Sequence, residues 1–548
     1  MSQRGGRLLD GIERIGNALP DPTTLFLLGA VLVLVLSQLA ASLNWTVERV
    51  VSQEVREPLL DARGAPVVDP QTGAPITRVV LDESGQPLRA QVRAPVKAVG
   101  LLTSEGLYWA LRSMVKNFTD FPPLGVVLVG MLGIGLAERT GFIPTLLKGV
   151  LLAVPPGLLT PAIVFVGVMS SMGLDAGYVV LPPVAAALYK AVGRSPLVGL
   201  AAVFAGVSAG FSANLFITSL DPLLAEFSTA SAQLLDPGYA VAATANWWFM
   251  IASTVLLTAT GWAVTAVWVE PRYARRPQAE GGASPLSREE LAAQRLTPDE
   301  RHGLAAAGAV AVVTLTVFAV ATLTPGAPLH GWDGAFPRWV RVVVPLIFFA
   351  FLLPGLTFGA VTGRLRNDKD MARMLGETMA GMGPYIVLAF FAAQFIAYFA
   401  HSNLGEMLAI AGGQALARAA MPSALLMVAF IGVVVVGNLF IGSMSAKYAF
   451  FAPVFVPMFM QVGISPELTQ VAYRVGDSVS NVVTPLNPYV VILLVFMQRY
   501  FPRAGIGTLV ALMLPYALAF GVVWTVMLVA WMASGTPLGP AGPLSYSP

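Results

Sequence analysis

Long apolar runs recur along this chain, each near the roughly 20 residues needed to cross about 30 Å of hydrocarbon, with polar connections between them. Residues 23–43, 121–138, 196–219, 246–269, 304–323, 340–361, 376–400, 470–496 and 505–531 form such runs and predict nine transmembrane helices. Two further apolar regions, 157–189 and 422–460, are interrupted at their centres by small and polar residues: Met169-Ser170-Ser171-Met172-Gly173-Leu174-Asp175 in one, Gly442-Ser443-Met444-Ser445-Ala446-Lys447-Tyr448 in the other. Half-length apolar arms around such a centre predict re-entrant hairpins, a backbone tolerated at membrane depth only where protein or a water-filled cavity surrounds it. Segment 44–95 is polar, and two short β-prone runs flanking Asp82-Glu83-Ser84-Gly85 predict an extramembrane hairpin.

The runs that follow the two hairpins resemble each other. The stretch 210–222, GFSANLFITSLDP, aligns without a gap on 476–488, GDSVSNVVTPLNP, with five of thirteen positions identical. Placement says more than the score. Each copy follows a span, a short amphipathic stretch and a hairpin, and precedes a last span. Short connections rich in Arg and Lys, including Arg139, Lys148, Lys190, Arg194, Arg364, Arg366, Arg499 and Arg503, fall on the side of a cytoplasmic N-terminus that carries Arg4, Arg7 and Arg14. With that orientation the two copies run in opposite directions, an inverted repeat, and interrupted helices in matching positions point to a substrate site near the midplane. The alternative is that Gly, Ser and Asn serve only the close packing of helices.

Composition narrows the function. A chain 56% hydrophobic and 11% charged needs lipid to cover its surface. The first run reads as an uncleaved span, not a removed signal. Absence of cysteine removes thiol chemistry, and histidines only at His302, His330 and His401 offer no metal cluster. A net charge of +3 spread over loops gives nucleic acid no docking stripe. No phosphate-binding loop for ATP is present, and no nucleophile with a base, so an enzyme is not expected and no cofactor is called for.

The chemistry left is that of a coupled carrier. A charged carboxylate at bilayer depth costs at least about 2.5 kcal/mol, so Asp175 and Asp477 must be neutralised by a proton, a cation or a partner, unless each simply caps a broken helix. Asn214, Asn438, Ser445, Asn481 and Thr484 supply neutral hydrogen bonds beside the half-helix ends, which attract anions with their N–H groups and hold cations with their carbonyls. Lys447 either adds a positive charge to the site or extends to the outer interface, the second being slightly favoured. Tyr448 offers an aromatic face, or packs between helices. A proton-coupled carrier for a polar, anionic solute and a sodium-coupled, dicarboxylate-like anion symporter both fit, with Na⁺ in the second case held near Asp175, Asn214, Asn438 and Asp477.

These residues carry a family resemblance. Asp175-Ala176-Gly177-Tyr178, the stretch 437–447 GNLFIGSMSAK, Tyr473-Arg474-Val475-Gly476-Asp477-Ser478 and Thr484-Pro485-Leu486 closely resemble the p-aminobenzoyl-glutamate transporter (AbgT) family over essentially the whole chain. The resemblance implies an all-α polytopic fold with nine spans and two re-entrant hairpins, assembled as a bowl-shaped homodimer in the bacterial inner membrane. It implies transport of p-aminobenzoyl-glutamate, a folate breakdown product, and proton-driven export of sulfonamide antimetabolites. It also implies that Asp175, Asn438, Ser445, Tyr448, Pro466, Asp477 and Pro485 line or shape the site. Family members carry Trp where this chain has Tyr448. The expected organisation is a cytoplasmic N-terminus (1–22), a first helix (23–43), a periplasmic segment (44–95), a first repeat (96–269), a cytoplasmic loop (270–303), two scaffold helices (304–362), a second repeat (363–531) and a C-terminal tail (532–548).

Overall fold

The computed structural model describes residues 22–547 except 55, 60–65, 67, 69–76, 81–88, 174–175, 284–294, 335, 439–440, 485–486 and 488. Helix α1 (Pro22–Ser42) leads into strands β1 (Thr46–Glu54), β2 (Arg56–Pro58), β3 (Thr77–Val79) and β4 (Arg89–Lys97). Strand β1 pairs antiparallel with β4, and β2 with β3. The expected hairpin around Asp82–Gly85 is thus replaced by a longer ribbon whose first strand, TVERVVSQE, follows closely after α1 and was not anticipated. The Asp82–Gly85 turn itself lies outside the described residues.

The first repeat comprises α2 (Ser104–Thr119), α3 (Pro122–Arg139), α4 (Phe142–Leu152), the hairpin arms α5 (Leu159–Met169) and α6 (Ala176–Ala191), the broken helix α7 (Pro196–Phe204) and α8 (Leu220–Ala232), and α9 (Trp247–Ala274). Helix α7 passes into a π-turn at Ala205–Ala209 and is followed by ten residues without regular helix, 210–219. The predicted run 196–219 therefore ends in the unwound segment, and its second half, α8, lies beyond it. Scaffold helices α10 (Pro298–Leu323) and α11 (Val343–Val361) follow. Helix α10 begins six residues before the predicted run at 304, because Thr297 and Glu300 close a capping box ahead of the apolar stretch.

The second repeat comprises α12 (Asp368–Gly381), α13 (Gly383–His401), α14 (Leu404–Ala419), the hairpin arms α15 (Ser423–Gly437) and α16 (Met444–Met460), the broken helix α17 (Pro466–Ser480) and α18 (Tyr489–Gln498), and α19 (Ile506–Ser534). The single span predicted at 376–400 is two helices. An amphipathic α12, capped by the Asn367 side chain, stops at Met382, next to Gly381, Gly383 and Pro384, and α13 alone is apolar.

Among the described residues, seven helical stretches are long and apolar enough to cross a membrane: α1, α2 with α3, α9, α10, α11, α13 and α19. The two broken helices bring the spans to nine, with the two hairpins inserted between them. Lipid is required on the outside: Val312, Val313, Val317 and Val320 of α10, and Leu518, Val522 and Val526 of α19, stand exposed. The inside is the reverse of a lipid-facing surface. Every residue of α17 is buried although its sequence, PELTQVAYRVGDSVS, is about half polar. Such a helix is stable in a membrane only if other protein satisfies its polar side chains.

The tail beyond α19 is folded. The Phe249 and Tyr546 N–H groups donate to the carbonyls of Leu538 and Gly463, the Ser465 hydroxyl to that of Pro543, and the Tyr546 hydroxyl to Asp236. Residues 535–547 thereby form a strap across the connection 233–246 and the start of α17.

Candidate functional site

The two unwound segments meet at the centre of the molecule, and the contacts between them obey the repeat. Aligning 210–222 on 476–488 places Gly210 on Gly476, and each glycine faces the first arm of its own hairpin. A Cβ on Gly476 would sit 2.7 Å from the Ile431 carbonyl and from Val434 Cβ. One on Gly210 would sit 2.7 Å from Val168 Cγ2. Only glycine lets the backbones approach this closely. The same alignment, continued a few residues, places Ser208 on Arg474 and Asp221 on Asn487. Arg474 Nη2 lies 2.5 Å from Asp221 Oδ1, and Asn487 Nδ2 donates to Ser208 Oγ at 3.1 Å, so one crosslink is the repeat image of the other. Ser212 and Ser478, also equivalent, touch each other, the Ser212 N–H donating to Ser478 Oγ at 3.2 Å. This is the inverted repeat expressed in individual hydrogen bonds.

Each hairpin tip is tied to its broken helix. In the first repeat, Asn214 Nδ2 donates to Ser171 Oγ at 2.8 Å and Asn214 Oδ1 accepts from the Phe216 N–H at 3.2 Å. In the second, Asn438 at the end of α15 donates to Ser480 Oγ (2.8 Å), Asn481 Oδ1 (2.7 Å) and the Asp477 carbonyl (3.0 Å), while Thr484 donates to the Asn438 carbonyl at 3.1 Å. The bond to Asp477 satisfies a carbonyl that the end of α17 leaves without a helical partner, and the bond from Thr484 does the same at the end of α15. Asn487 Nδ2 also donates to the Asn481 carbonyl at 2.9 Å.

Beside this network sits a buried ion pair. Lys447 Nζ lies 2.6 Å from Asp477 Oδ1, with both side chains at 1% exposure or less, and it also donates to Asn438 Oδ1. The expectation that Lys447 extends to the outer interface is therefore corrected: it points inward because Asp477 and Asn438 offer it oxygens there, whereas the interface would leave Asp477 unneutralised. The second Asp477 oxygen, Oδ2, is buried without a hydrogen-bond partner. Tyr473 donates to the Met444 carbonyl at 2.6 Å and approaches Asp477 Oδ1 at 3.4 Å.

The other expected residues are more dispersed. Tyr448 is fully buried, with its hydroxyl 2.6 Å from Ser228 Oγ, which donates to Gln470 Oε1, and its ring 4.4 Å from that of Tyr473. It faces protein, not an open cavity. Pro466 opens α17 behind the cap Ser465, whose hydroxyl accepts from the Leu468 N–H, and Ser445 sits partly exposed 3.3 Å from Ser443 Oγ. Asp175 and Pro485 lie outside the described residues. Of the four residues grouped for Na⁺, Asn438 and Asp477 come together, while Asn214 lies on the first unwound segment, bonded to the first tip. Among the described residues no cluster of three or more His, Cys, Asp or Glu is present.

Two residues were missed. Arg474 and Asp221 form a second buried ion pair among the described residues, and Asp221 Oδ2 accepts from the Thr218 N–H (2.7 Å) and hydroxyl (2.9 Å). The signal was available. Arg474 stands one helical turn before Asp477 on a helix predicted to cross the membrane, and Asp221 falls within the aligned repeat, where charge is rare unless paired. Beside the first unwound segment, a cavity of about 550 Å³ is lined by Met172, Phe216, Ile217, Trp247, Phe318 and Trp339, among others, and is almost wholly apolar.

The profile of the "AbgT putative transporter family" matches residues 7–546. The chain belongs to this family. It is 35% identical over 546 residues to the p-aminobenzoyl-glutamate transport protein of Escherichia coli K12, covering 98% of this chain and 97% of that one. Solved structures that share its fold include two transporters. The YdaH transporter of Alcanivorax borkumensis superposes with a TM-score of 0.81 at 37% identity, over 95% of this chain and all of that one. MtrF of Neisseria gonorrhoeae, described within a class of antimetabolite efflux pumps, superposes with a TM-score of 0.83 at 37% identity, over 98% of this chain and all of that one. This AbgT-family chain is accordingly a multi-pass membrane transporter and not an enzyme.

Proposed function

We propose that this AbgT-family chain is a proton-coupled carrier of the bacterial inner membrane that moves p-aminobenzoyl-glutamate and exports sulfonamide antimetabolites, as a homodimer with cytoplasmic N-termini. The observation that carries the reading is the buried pair Lys447–Asp477, whose second carboxylate oxygen has no partner, placed where a hairpin tip meets a broken helix. A carboxylate so placed is poised to exchange a proton as the tip moves. The apolar cavity beside Phe216 suits an aromatic ring, and Arg474, whose Nε is buried without a partner, suits the substrate's carboxylates once the repeats part. The relatives' names support the substrate class, and the Arg and Lys distribution supports the orientation.

The test is counterflow of radiolabelled p-aminobenzoyl-glutamate and of a sulfonamide in proteoliposomes, under imposed pH gradients and with Na⁺ replaced by choline. Flux driven by pH and indifferent to choline is expected, and Asp477→Asn should remain folded yet lose the gradient-driven component. Flux that requires Na⁺ would replace this reading with the sodium symporter.

A further inference from the structure

Helices α6 and α18 come from different repeats and lie side by side, joined through aromatic rings at both ends. At the inner end Tyr178, in the first turn of α6, stacks face to face on Tyr489, the first residue of α18, with ring centroids 4.0 Å apart and planes 8° from parallel. At the outer end Lys190 Nζ lies 5.4 Å from the centre of the Tyr500 ring. Both helices run outward to the connections that carry Arg194 and Arg499, so the stack closes the inner end of a seam that faces the Arg- and Lys-rich side. Tyr178 also packs edge to face with Phe204, at the end of α7, with centroids 5.8 Å apart, and Met172, on the tip just before it, lines the apolar cavity beside Phe216. The other hairpin meets the opposite repeat through hydrogen bonds instead. Tyr448 of α16 reaches α8 by its hydroxyl, bonded to Ser228, which donates to Gln470, and the repeat alignment places Gln470 on Phe204. Hydrogen bonds buried this way leave no ring face for a solute to take. A stack does, because an arene entering between Tyr178 and Tyr489 exchanges one ring contact for two.

We propose that Tyr178 and Tyr489 are an arene-selective clamp: the stack parts, and the benzoyl or arylsulfonyl ring of the solute is held between the two phenol faces on its route between the Arg- and Lys-rich side and the cavity beside Phe216. Tyr178 is only 5% exposed and Tyr489 half-buried, so the clamp is closed in this conformation and an aliphatic solute gains nothing by opening it. Recognition lies in the rings, so phenylalanine at either position preserves it and leucine does not. The inference deepens the reading of the solute as an aromatic amide and rests on it, but it assigns the ring alone to these residues, and neither the carboxylates nor the coupling ion.

The experiment is calorimetric titration of the purified full chain in detergent with three probes: p-aminobenzoyl-glutamate, N-acetylglutamate, which keeps the tail without the ring, and sulfanilamide, which keeps the ring without the tail. Tyr489→Leu should weaken the two arene probes by roughly 2–10-fold, the worth of one ring contact, and leave N-acetylglutamate unchanged. Tyr489→Phe should bind all three as wild type does. Tyr178→Leu and Tyr178→Phe repeat the comparison, and carry it should Tyr489→Leu not fold. A leucine variant that keeps wild-type affinity for the arenes, or that weakens all three probes alike, would overturn the clamp while leaving the aromatic-amide reading in place. Sulfanilamide binding that depends on Tyr489, with no binding of p-aminobenzoyl-glutamate, would do the reverse, and a wild type that binds neither arene would overturn both.

Discussion

The Arg474–Asp221 pair offers a sharp test of how the repeats are joined. The perturbation is Arg474→Met, which keeps the length of the stem and removes the guanidinium. Asp221 would then retain its two bonds from Thr218 but lose its counter-charge in a position where its side chain is only 8% exposed. Breaking a buried pair from one side costs about 3–5 kcal/mol, because the abandoned charge has no water to recover. A melting point lowered by roughly 5–10 °C is expected for detergent-solubilised protein. Asp221→Asn should cost a similar amount through the stranded Arg474, whose Nε already lacks a partner. The double variant decides the matter. With both charges gone, the combined loss should fall well below the sum of the single losses, a coupling of about 2 kcal/mol or more. Additive losses, or single variants melting within 1 °C of wild type, would show that the pair is not a joint between the repeats.

Three further outcomes follow from other contacts. Tyr448→Phe removes the hydroxyl from Ser228, which keeps its bond to Gln470, so a loss of only about 0.5–1.5 kcal/mol is expected in the melt; Tyr448→Trp, lacking space at a fully buried position, should cost more. Gly476→Ala and Gly210→Ala should each destabilise by about 1–3 kcal/mol because a Cβ meets the hairpin arms, whereas Gly432→Ala, with nothing within 4 Å of its Cβ, should melt like wild type. Burial and the nearby Asp236 push the Tyr546 hydroxyl up to about 12. Its folded form favours the proton, so the strap's contribution should be complete below pH 10 and lost as pH rises toward 12. Proteolytic nicking of residues 535–547 should accelerate over that window in wild type but not in Tyr546→Phe.

Much of this architecture was legible because membranes impose length. Nine spans and two hairpins follow from apolar runs and their interruptions, and the inverted repeat from where small and polar residues recur. Legibility failed where tertiary partners decide. Lys447 has a stem long enough for either the interface or the interior, and only the position of Asp477 on another helix selects between them. The strap and the β1–β4 ribbon depend on contacts far apart in sequence, which local pattern does not encode. Met382 ends α12 within a run that reads as continuous, because hydropathy averages across a two-glycine break. Arg474 and Asp221 were readable individually as buried charge, but their pairing across the repeats is a property of the fold.

The two crosslinks that the repeat relates are alike in geometry and unequal in chemistry, one a charged pair and the other a single neutral amide–hydroxyl bond. The charged one lies toward the end of the bundle that the strap also closes. Symmetry supplies two equivalent contacts between the repeats, and the side chains make one of them the stronger joint. Exchanging the pair, by Ser208→Arg, Asn487→Asp, Arg474→Ser and Asp221→Asn, would move the charged joint to the repeat-related position, and the melt of the exchanged chain would show whether the two positions are interchangeable.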